Sequence, residues 1–494
     1  MNSKRALLIL GISAIFALTS CSGVKNVCTT NCTVSGNAKL NLTLSDTPPA
    51  GVSVISFTLP ISGISLVPSS GSAVSVYSGG SFELTRLQSD SAPVAIGVSV
   101  PEGSYTAIMV TLGTSSGLFV NASGGSITSS AGTCVANAIC ALPAGAATTI
   151  TITFPSTLTL SANQTQWIGL DFNLNNAITT ANGITVDFGQ TGVLTAKTTP
   201  RTNVPSGYVD SIDDFTGQVT AYSNGSSISV KSGTRGTLTA TITSSTTFDD
   251  PQSLCSGSAS VASCISASGK TVVSVQAELS NTGAIDATEI DVIDMSGSDA
   301  VEGFIYPSTC NGAGSFGLLL ADSTVLTGNA TLTGLSYGAG FCLTIGPTAT
   351  FLVDTGLLST AIGSATQAGF TGSSSIQYGQ VVRVQVSNVT AGKPVGATAT
   401  GVLLRYSRLS GTVNIVSGNN FSVNGLPTYL GFTLSPLIAT YLNNTTFEGV
   451  PAGTGASGLS NGSGVAIRAL YFSNPGNSPQ AGVSFIAAKV RTGY

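Results

Sequence analysis

Leu40, Leu42 and Leu44 alternate with polar residues early in the chain, and after a turn Val52, Ile55, Phe57 and Leu59 continue the apolar signal. Alternation with period two puts successive side chains on opposite faces, so each run reads as a half-buried β-strand. The pattern returns at Ile150-Thr-Ile-Thr-Phe154 and at Ile168-Gly-Leu-Asp-Phe172-Asn-Leu174. No stretch carries a convincing helical stripe. Residues 36–200 are expected to form one β-rich module.

Beyond a linker from Pro200 to Pro205, the chain resembles itself three times. Each unit opens with a glycine and a short strand, at Gly217-Gln-Val219, Gly303-Phe-Ile305 and Gly411-Thr-Val413. Each has a central Thr-Phe step, at Thr247-Phe248, Thr350-Phe351 and Thr446-Phe447. A later strand alternates through Val273, Val275 and Ala277, through Val382, Val384 and Val386, and through Val465, Ile467 and Ala469. A closing strand follows at Ala287-Thr-Glu-Ile-Asp-Val292, Gly401-Val-Leu-Leu-Arg405 and Phe485-Ile-Ala-Ala-Lys-Val490. Glycine, threonine and valine are common enough to produce some likeness by composition, but the order of features recurs as well. The expected units are 206–297, 298–406 and 407–494. The middle one carries extra loop around Cys310 to Cys342, expected at the surface, where loops often carry function.

Composition supports this reading. With 494 residues, 42% of them hydrophobic, the chain can build several cores, and its 59 glycines suit strands joined by tight turns. Only 8% of residues are charged and the net charge is −4, so no basic surface is available for nucleic acid phosphates.

The first residues read as an export signal over 1–20. Lys4 and Arg5 precede an uncharged run from Ala6 to Ala17, too short to span a bilayer. The run ends in Leu18-Thr19-Ser20-Cys21, which resembles the bacterial lipobox, so Cys21 is expected to carry the lipid, with 21–35 as a tether. Two or three acyl chains anchor stably where one is marginal. Ser22 is not the aspartate that retains many lipoproteins at the inner membrane, which points to the outer membrane, facing the periplasm or the cell surface. Assigning Cys21 to lipid leaves eight of nine cysteines, an even number suited to an oxidising compartment. As sequence neighbours they suggest Cys28–Cys32, Cys134–Cys140, Cys255–Cys264 and Cys310–Cys342, although eight cysteines permit many other pairings. Metal ligation by these thiols is disfavoured: Cys28 and Cys32 have no second pair nearby, and histidine is absent.

Absence of histidine also removes the Ser-His-Asp and Cys-His arrangements and histidine general bases. Ser22 and Lys25 have the spacing of a serine–lysine dyad but fall on the tether. Asp171, Asp187, Glu278 and Glu302 are candidate carboxylates for glycoside chemistry, with nothing in the sequence to pair any two. No phosphate-cradling glycine loop is present. Acids at Asp210, Asp213 and Asp214, at Asp249 and Asp250, and at Asp286, Asp291 and Asp294 have the oxygen chemistry of calcium ligands without the spacing of a calcium loop. The first cluster is more simply read as solvated linker. Trp167 is expected in a core or at its rim, and Tyr77, Tyr222, Tyr337 and Tyr378, near small-residue turns, are candidate ring platforms for sugars.

Residues 36–200 resemble the exported bacterial family catalogued as domain of unknown function 4382. The resemblance rests on Leu42-Thr-Leu-Ser-Asp46-Thr-Pro48, on Phe82-Glu-Leu-Thr-Arg-Leu87 and on Val100-Pro-Glu-Gly103-Ser-Tyr105-Thr-Ala-Ile108. It implies a surface-exposed β-sandwich and brings no established activity. The later units resemble small β-barrel repeats catalogued as domain of unknown function 5666. The expected architecture is therefore all-β, an N-terminal β-sandwich followed by three smaller β-barrel or β-sandwich-like repeats, arranged as a lipid-tethered rod with the repeats projecting from the membrane. The expected function is non-enzymatic, without cofactor or catalytic residues: adhesion, scaffolding or ligand binding toward an envelope polysaccharide or protein. The alternative is a carbohydrate-binding or calcium-dependent polysaccharide-binding surface protein. Mass spectrometry of the native N-terminus is expected to find acylated Cys21 as the first residue; an unmodified start elsewhere would refute the anchor.

Overall fold

The computed structural model describes residues 36–493 apart from 50–51, 122–124, 137, 181–182, 268, 307–309, 311–313, 357–366, 427–436, 440–444 and 473–483. Cys21, Cys28 and Cys32, with the signal and tether, lie outside the described residues. No helix among the described residues is long and apolar enough to cross a membrane.

The chain is all-β, and its first part is a sandwich. One sheet has the order Leu194–Lys197, Thr165–Asn173, Asn37–Thr47, Ala92–Pro101. The other is centred on the long strand Ser53–Pro68, flanked by Gly103–Leu112 and Ser116–Val120. Leu40, Leu42 and Leu44 from the first sheet meet Phe57, Leu59, Ile64, Leu66, Ile108 and Val110 from the second in one core. Parity changes along Ser53–Pro68: Phe57, Leu59 and Ile61 point inward, then Ile64 and Leu66. The register shift between Ile61 and Gly63 explains it, because one extra residue flips every later side chain to the other face.

Three five-stranded units follow. The first comprises Tyr208–Ser223, Ser227–Ser232, Gly236–Asp249, Val272–Ser280 and Ile285–Asp294, and closes into a barrel in the order first, second, third, fifth, fourth. The second, from Ala300–Tyr306 through Ser315–Thr324, Gly340–Val353, Val381–Thr390 and Val395–Arg405, closes in the same order. In the third, Ser407–Ser417, Asn420–Asn424, Leu437–Ala439, Gly464–Tyr471 and Phe485–Thr492 form the same circuit. There the third strand is broken into Leu437–Ala439 and Thr446–Glu448, both parallel to the fifth. This is the connectivity of a five-stranded Greek-key barrel of the OB type.

The recurring residues occupy equivalent places. Gly217, Gly303 and Gly411 lie within the first strands, opposite Val273, Val382 and Val465 of the fourth. A Cβ on any of the three would collide with a backbone carbonyl oxygen of the second strand, that of Lys231, Leu319 or Asn424 respectively. Glycine is thus what lets the first strand turn sharply against the second as the barrel closes. Each Thr-Phe step lies in the parallel pairing of third and fifth strands.

The units do not form a rod, contrary to the sequence-based expectation. Trp167 of the sandwich packs with Val209 and Leu279 of the first barrel. Ile55 and Val120 meet Leu319 of the second. Val272 and Ile293 of the first barrel meet Leu403 of the second. Leu470, Phe472, Ile486 and Ala488 of the third complete the second barrel's core cluster. A rod needs polar outer faces on every unit, whereas the fourth strand Val272–Ser280 is buried along both faces but for one residue of intermediate exposure. The linker is not a hinge either: Asn203 Nδ2 donates to Phe447 O (2.6 Å), and Arg201 reaches Ser45 Oγ (2.9 Å).

Disulfides join Cys134 to Cys140, Cys255 to Cys264 and Cys310 to Cys342. The last fixes the chain ahead of the second barrel's second strand to its third. Replacing Gly303 by alanine is expected to cost about 1–3 kcal/mol through overpacking, read as a lowered melting temperature. An unchanged melting temperature would refute this account of the repeated glycine.

Candidate functional site

Charge is scarce in this chain, yet roughly half of its charged residues are buried. They gather where the units meet. Burying an ion costs several kcal/mol unless partners replace its water, so each such group must be matched.

Arg405 ends the fifth strand of the second barrel and is almost fully buried. It pairs with Asp354 and Glu302 of its own barrel and with Asp214 of the first, and donates to Thr216 Oγ1 (2.7 Å). Asp214 is placed by a bulge between Ile212 and Phe215, where its own φ is +50°. The bulge turns its carboxylate out of the barrel, where Arg408 of the third unit also reaches it (3.3 Å). Burial opposes the Asp214 charge, but Arg405, Arg408, Arg468 and Arg235 outweigh it and hold its pKa well below the usual carboxylate range.

A second ionic cluster joins the third unit to the first barrel and the sandwich. Glu448 receives Lys489 Nζ and Arg491 Nε, each at 2.7 Å, and Ser211 Oγ of the first barrel at 2.7 Å. Arg491 also donates to Asp90 O of the sandwich (2.6 Å) and lies 3.7 Å from Asp210. Thr43 and Ser91 donate to the Asp210 carboxylate at 2.6 and 2.8 Å. Burial disfavours ionised Glu448, yet Arg491, Lys489 and Arg201 depress its pKa strongly. Asp210 and Asp214 are therefore buried ion-pair partners, not the solvated linker acids expected from sequence; the strand Tyr208–Ser223 carries both into the interface.

Above the first cluster opens a cleft of about 770 Å³ between the sandwich, the first barrel and a loop of the second. The sandwich contributes Phe82, Glu83, Arg86 and Leu87, all from the run that suggested the family resemblance. Glu83 is fixed by Phe57 N (2.6 Å), Thr85 Oγ1 (2.9 Å) and Thr58 Oγ1 (3.0 Å); burial raises its pKa and these bonds partly offset the rise. The first barrel contributes Phe215 and the turn Gly233-Thr-Arg-Gly236. Asp322 of the second barrel docks that turn, accepting from Ser232 Oγ (2.5 Å) and Gly233 N (2.9 Å). The second barrel contributes Tyr337.

Two guanidinium groups lie against rings here. Arg86 is 5.2 Å from the centroid of Tyr337 and Arg235 is 4.7 Å from that of Phe215. Arg235 is held from behind by Asp90 Oδ2 (3.1 Å) and Asp214 O (3.0 Å). Arg86 itself donates to Thr234 Oγ1 (3.3 Å) and Ala321 O, so what the two guanidiniums offer the cleft is their remaining N–H groups.

The remaining candidates separate. Asp171 accepts from Ser45 and Thr47 inside the sandwich, Asp187 caps an exposed turn, Glu278 lies in the first barrel's fourth strand and Glu302 serves Arg405. Trp167 is buried at the first seam, with Nε1 donating to Thr43 Oγ1 (3.1 Å). Tyr77 packs near Phe82, Tyr222 donates to Ala262 O and Tyr378 is exposed; among these four tyrosines only Tyr337 lines the cleft. Asp249 and Asp291 meet, joined by Glu289, which was not among the expected calcium ligands. Burial pushes all three pKa values up, that of Glu289 to about 7; nearby acids add to the rise, Asp249 and Asp354 for Glu289, Glu289 and Asp354 for Asp291, and Asp250 for Asp249. The interface arginines Arg405 and Arg491 went unrecognised, though a base inside an apolar closing strand of a charge-poor chain was a usable signal.

Residues 37–186 match the family described as Domain of unknown function (DUF4382). No curated protein matches the chain.

Glu448 has a depressed folded pKa, so its contribution to stability is present above its ordinary value of 4.5 and is lost as pH falls. Glu448→Gln is expected to cost about 3–5 kcal/mol at neutral pH and to flatten the fall in melting temperature between about pH 5 and about pH 3. Thermal melts across that range check both, and an unchanged slope would count against the ion-pair account.

Proposed function

We propose that this chain is a non-enzymatic, lipid-anchored protein of the bacterial cell envelope, sorted to the outer membrane, that captures an acidic saccharide in the cleft between sandwich and barrels. The observation that carries the reading is the pairing of Arg86 and Arg235 with aromatic faces around a space of about 770 Å³. Rings cover the apolar face of a sugar while guanidinium donors meet its carboxylate. The volume lies in the range of small-ligand sites. Barrels of this connectivity often bind oligosaccharides or oligonucleotides over their second and third strands, where Thr237 and Leu238 line the cleft. With 17 lysines and arginines in 494 residues the chain has too few cations for a polyphosphate backbone, whereas two guanidiniums suffice for one carboxylate. Reading the barrels as repeats of the kind catalogued as domain of unknown function 5666 rests on their glycine, Thr-Phe step and late strand. Anchoring rests on Leu18-Thr19-Ser20-Cys21.

The mature chain, displayed to an array of neutral and uronic-acid glycans, is expected to select acidic ones, more weakly as salt is raised. Phe82→Ala, which removes a ring from the cleft wall, is expected to weaken that binding about tenfold. Binding confined to neutral glycans, or to none, would overturn the proposal.

A further inference from the structure

The three barrels place the same two strand positions side by side and fill them differently. In the third barrel Glu448 lies opposite Arg491, and Thr446 opposite Lys489. Glu448 is thereby neutralised by two cations of the chain itself. In the second barrel the corresponding pairs are Leu352 with Leu403 and Thr350 with Gly401, and the leucines pack against the first barrel. In the first barrel the pairs are Asp249 with Asp291 and Thr247 with Glu289. Where the third barrel sets two bases against one acid, the first sets two acids against another.

The side-chain period of two explains how they meet. Ile290 and Val292 of the fifth strand point into the barrel, so Glu289 and Asp291 point out on one face, beside Asp249 of the parallel third strand. Carboxylate oxygens of the three lie within 4.8 Å of one another. Asp291 is only 2% exposed, and its Oδ1 has no hydrogen-bond partner. Gly356 of the second barrel closes over it: a Cβ there would stand 2.7 Å from the carboxylate carbon. Among the described residues, no lysine or arginine nitrogen lies within ion-pair distance of any of the three. Arg405 and Arg468 act on Asp291 and Glu289 only from beyond contact, and the further acid Asp354 acts against them, so no cation is placed against these carboxylates as it is in the sister barrel.

We infer that Asp249, Glu289 and Asp291 bind a hard divalent cation, calcium, at the seam between the first and second barrels. The donors are all carboxylate oxygens, the set that calcium prefers, and nitrogen and sulfur ligands of zinc-type sites are missing from the cluster. Their spacing suits oxygens arranged about one ion with metal–oxygen distances of about 2.3–2.6 Å. The three residues do not line the cleft, so the inference stands or falls apart from the saccharide proposal.

The test is calorimetric titration of calcium chloride into the full mature chain after chelation, alongside thermal melts. One ion per chain and a rise of a few degrees in melting temperature are expected. Asp291→Asn should abolish the calcium response, while its metal-free form melts no lower than the metal-free parent because repulsion is relieved. Glu289→Gln, at a more exposed position, should weaken binding at least tenfold and covers the case in which Asp291→Asn fails to fold. No binding at about 10 mM calcium, above the range of extracellular sites, would overturn the inference. So would binding unchanged in Glu289→Gln, or a response to magnesium and not to calcium.

Discussion

Two buried guanidinium groups, those of Arg405 and Arg491, hold the molecule in its particular arrangement. Each takes carboxylate or carbonyl oxygens from more than one unit. Hydrophobic seams such as that of Trp167 with Leu279 favour contact between units without fixing its register. Arg405 sits among three carboxylates and Arg491 against Glu448, so packings of the same apolar faces that part these groups leave buried ions unmatched and are strongly disfavoured. The bulge at Asp214, the docking of the Ser232–Gly236 turn on Asp322 and the shape of the cleft all follow from this alignment.

The cleft is accordingly a product of assembly. Arg235 reaches back to Asp90 of the sandwich, and Asp214, whose carbonyl it also meets, is paired to Arg405. Tyr337 arrives on the loop between the second and third strands of the second barrel, and its ring is met by Arg86 of the sandwich. No single unit contains the site.

What the sequence disclosed was what period and local order encode. Alternation at Leu40 to Leu44 and at Val273 to Ala277 identified strands because inward positions are chosen by each unit's own core. The glycines and Thr-Phe steps marked equivalent points because barrel closure imposes the same close approach three times. The interfaces were illegible for the opposite reason. Thr43, Ser274 and Arg383 occupy the outward phase of their strands and read as solvated, yet neighbouring units bury them. Nothing local distinguishes a polar residue facing water from one facing a distant carboxylate. The acids Asp210 and Asp214 were misread on that account, and their partners lie up to 281 positions away, beyond any spacing rule. Glu289 carries no local signal because its meaning depends on Asp249, brought beside it only by the parallel pairing of third and fifth strands.

The bond from Arg491 to Asp90 spans 401 positions of sequence. Every acid of the sandwich and first barrel therefore precedes that arginine along the chain. Asp210 already has Arg201, Thr43 and Ser91 as partners and Asp90 has Arg235, so the sandwich and the first barrel match one another's charges without the last strand. The last strand then acts as a fastener, and a chain that stops short of it leaves Glu448 without Lys489 and Arg491 at the seam of the third unit.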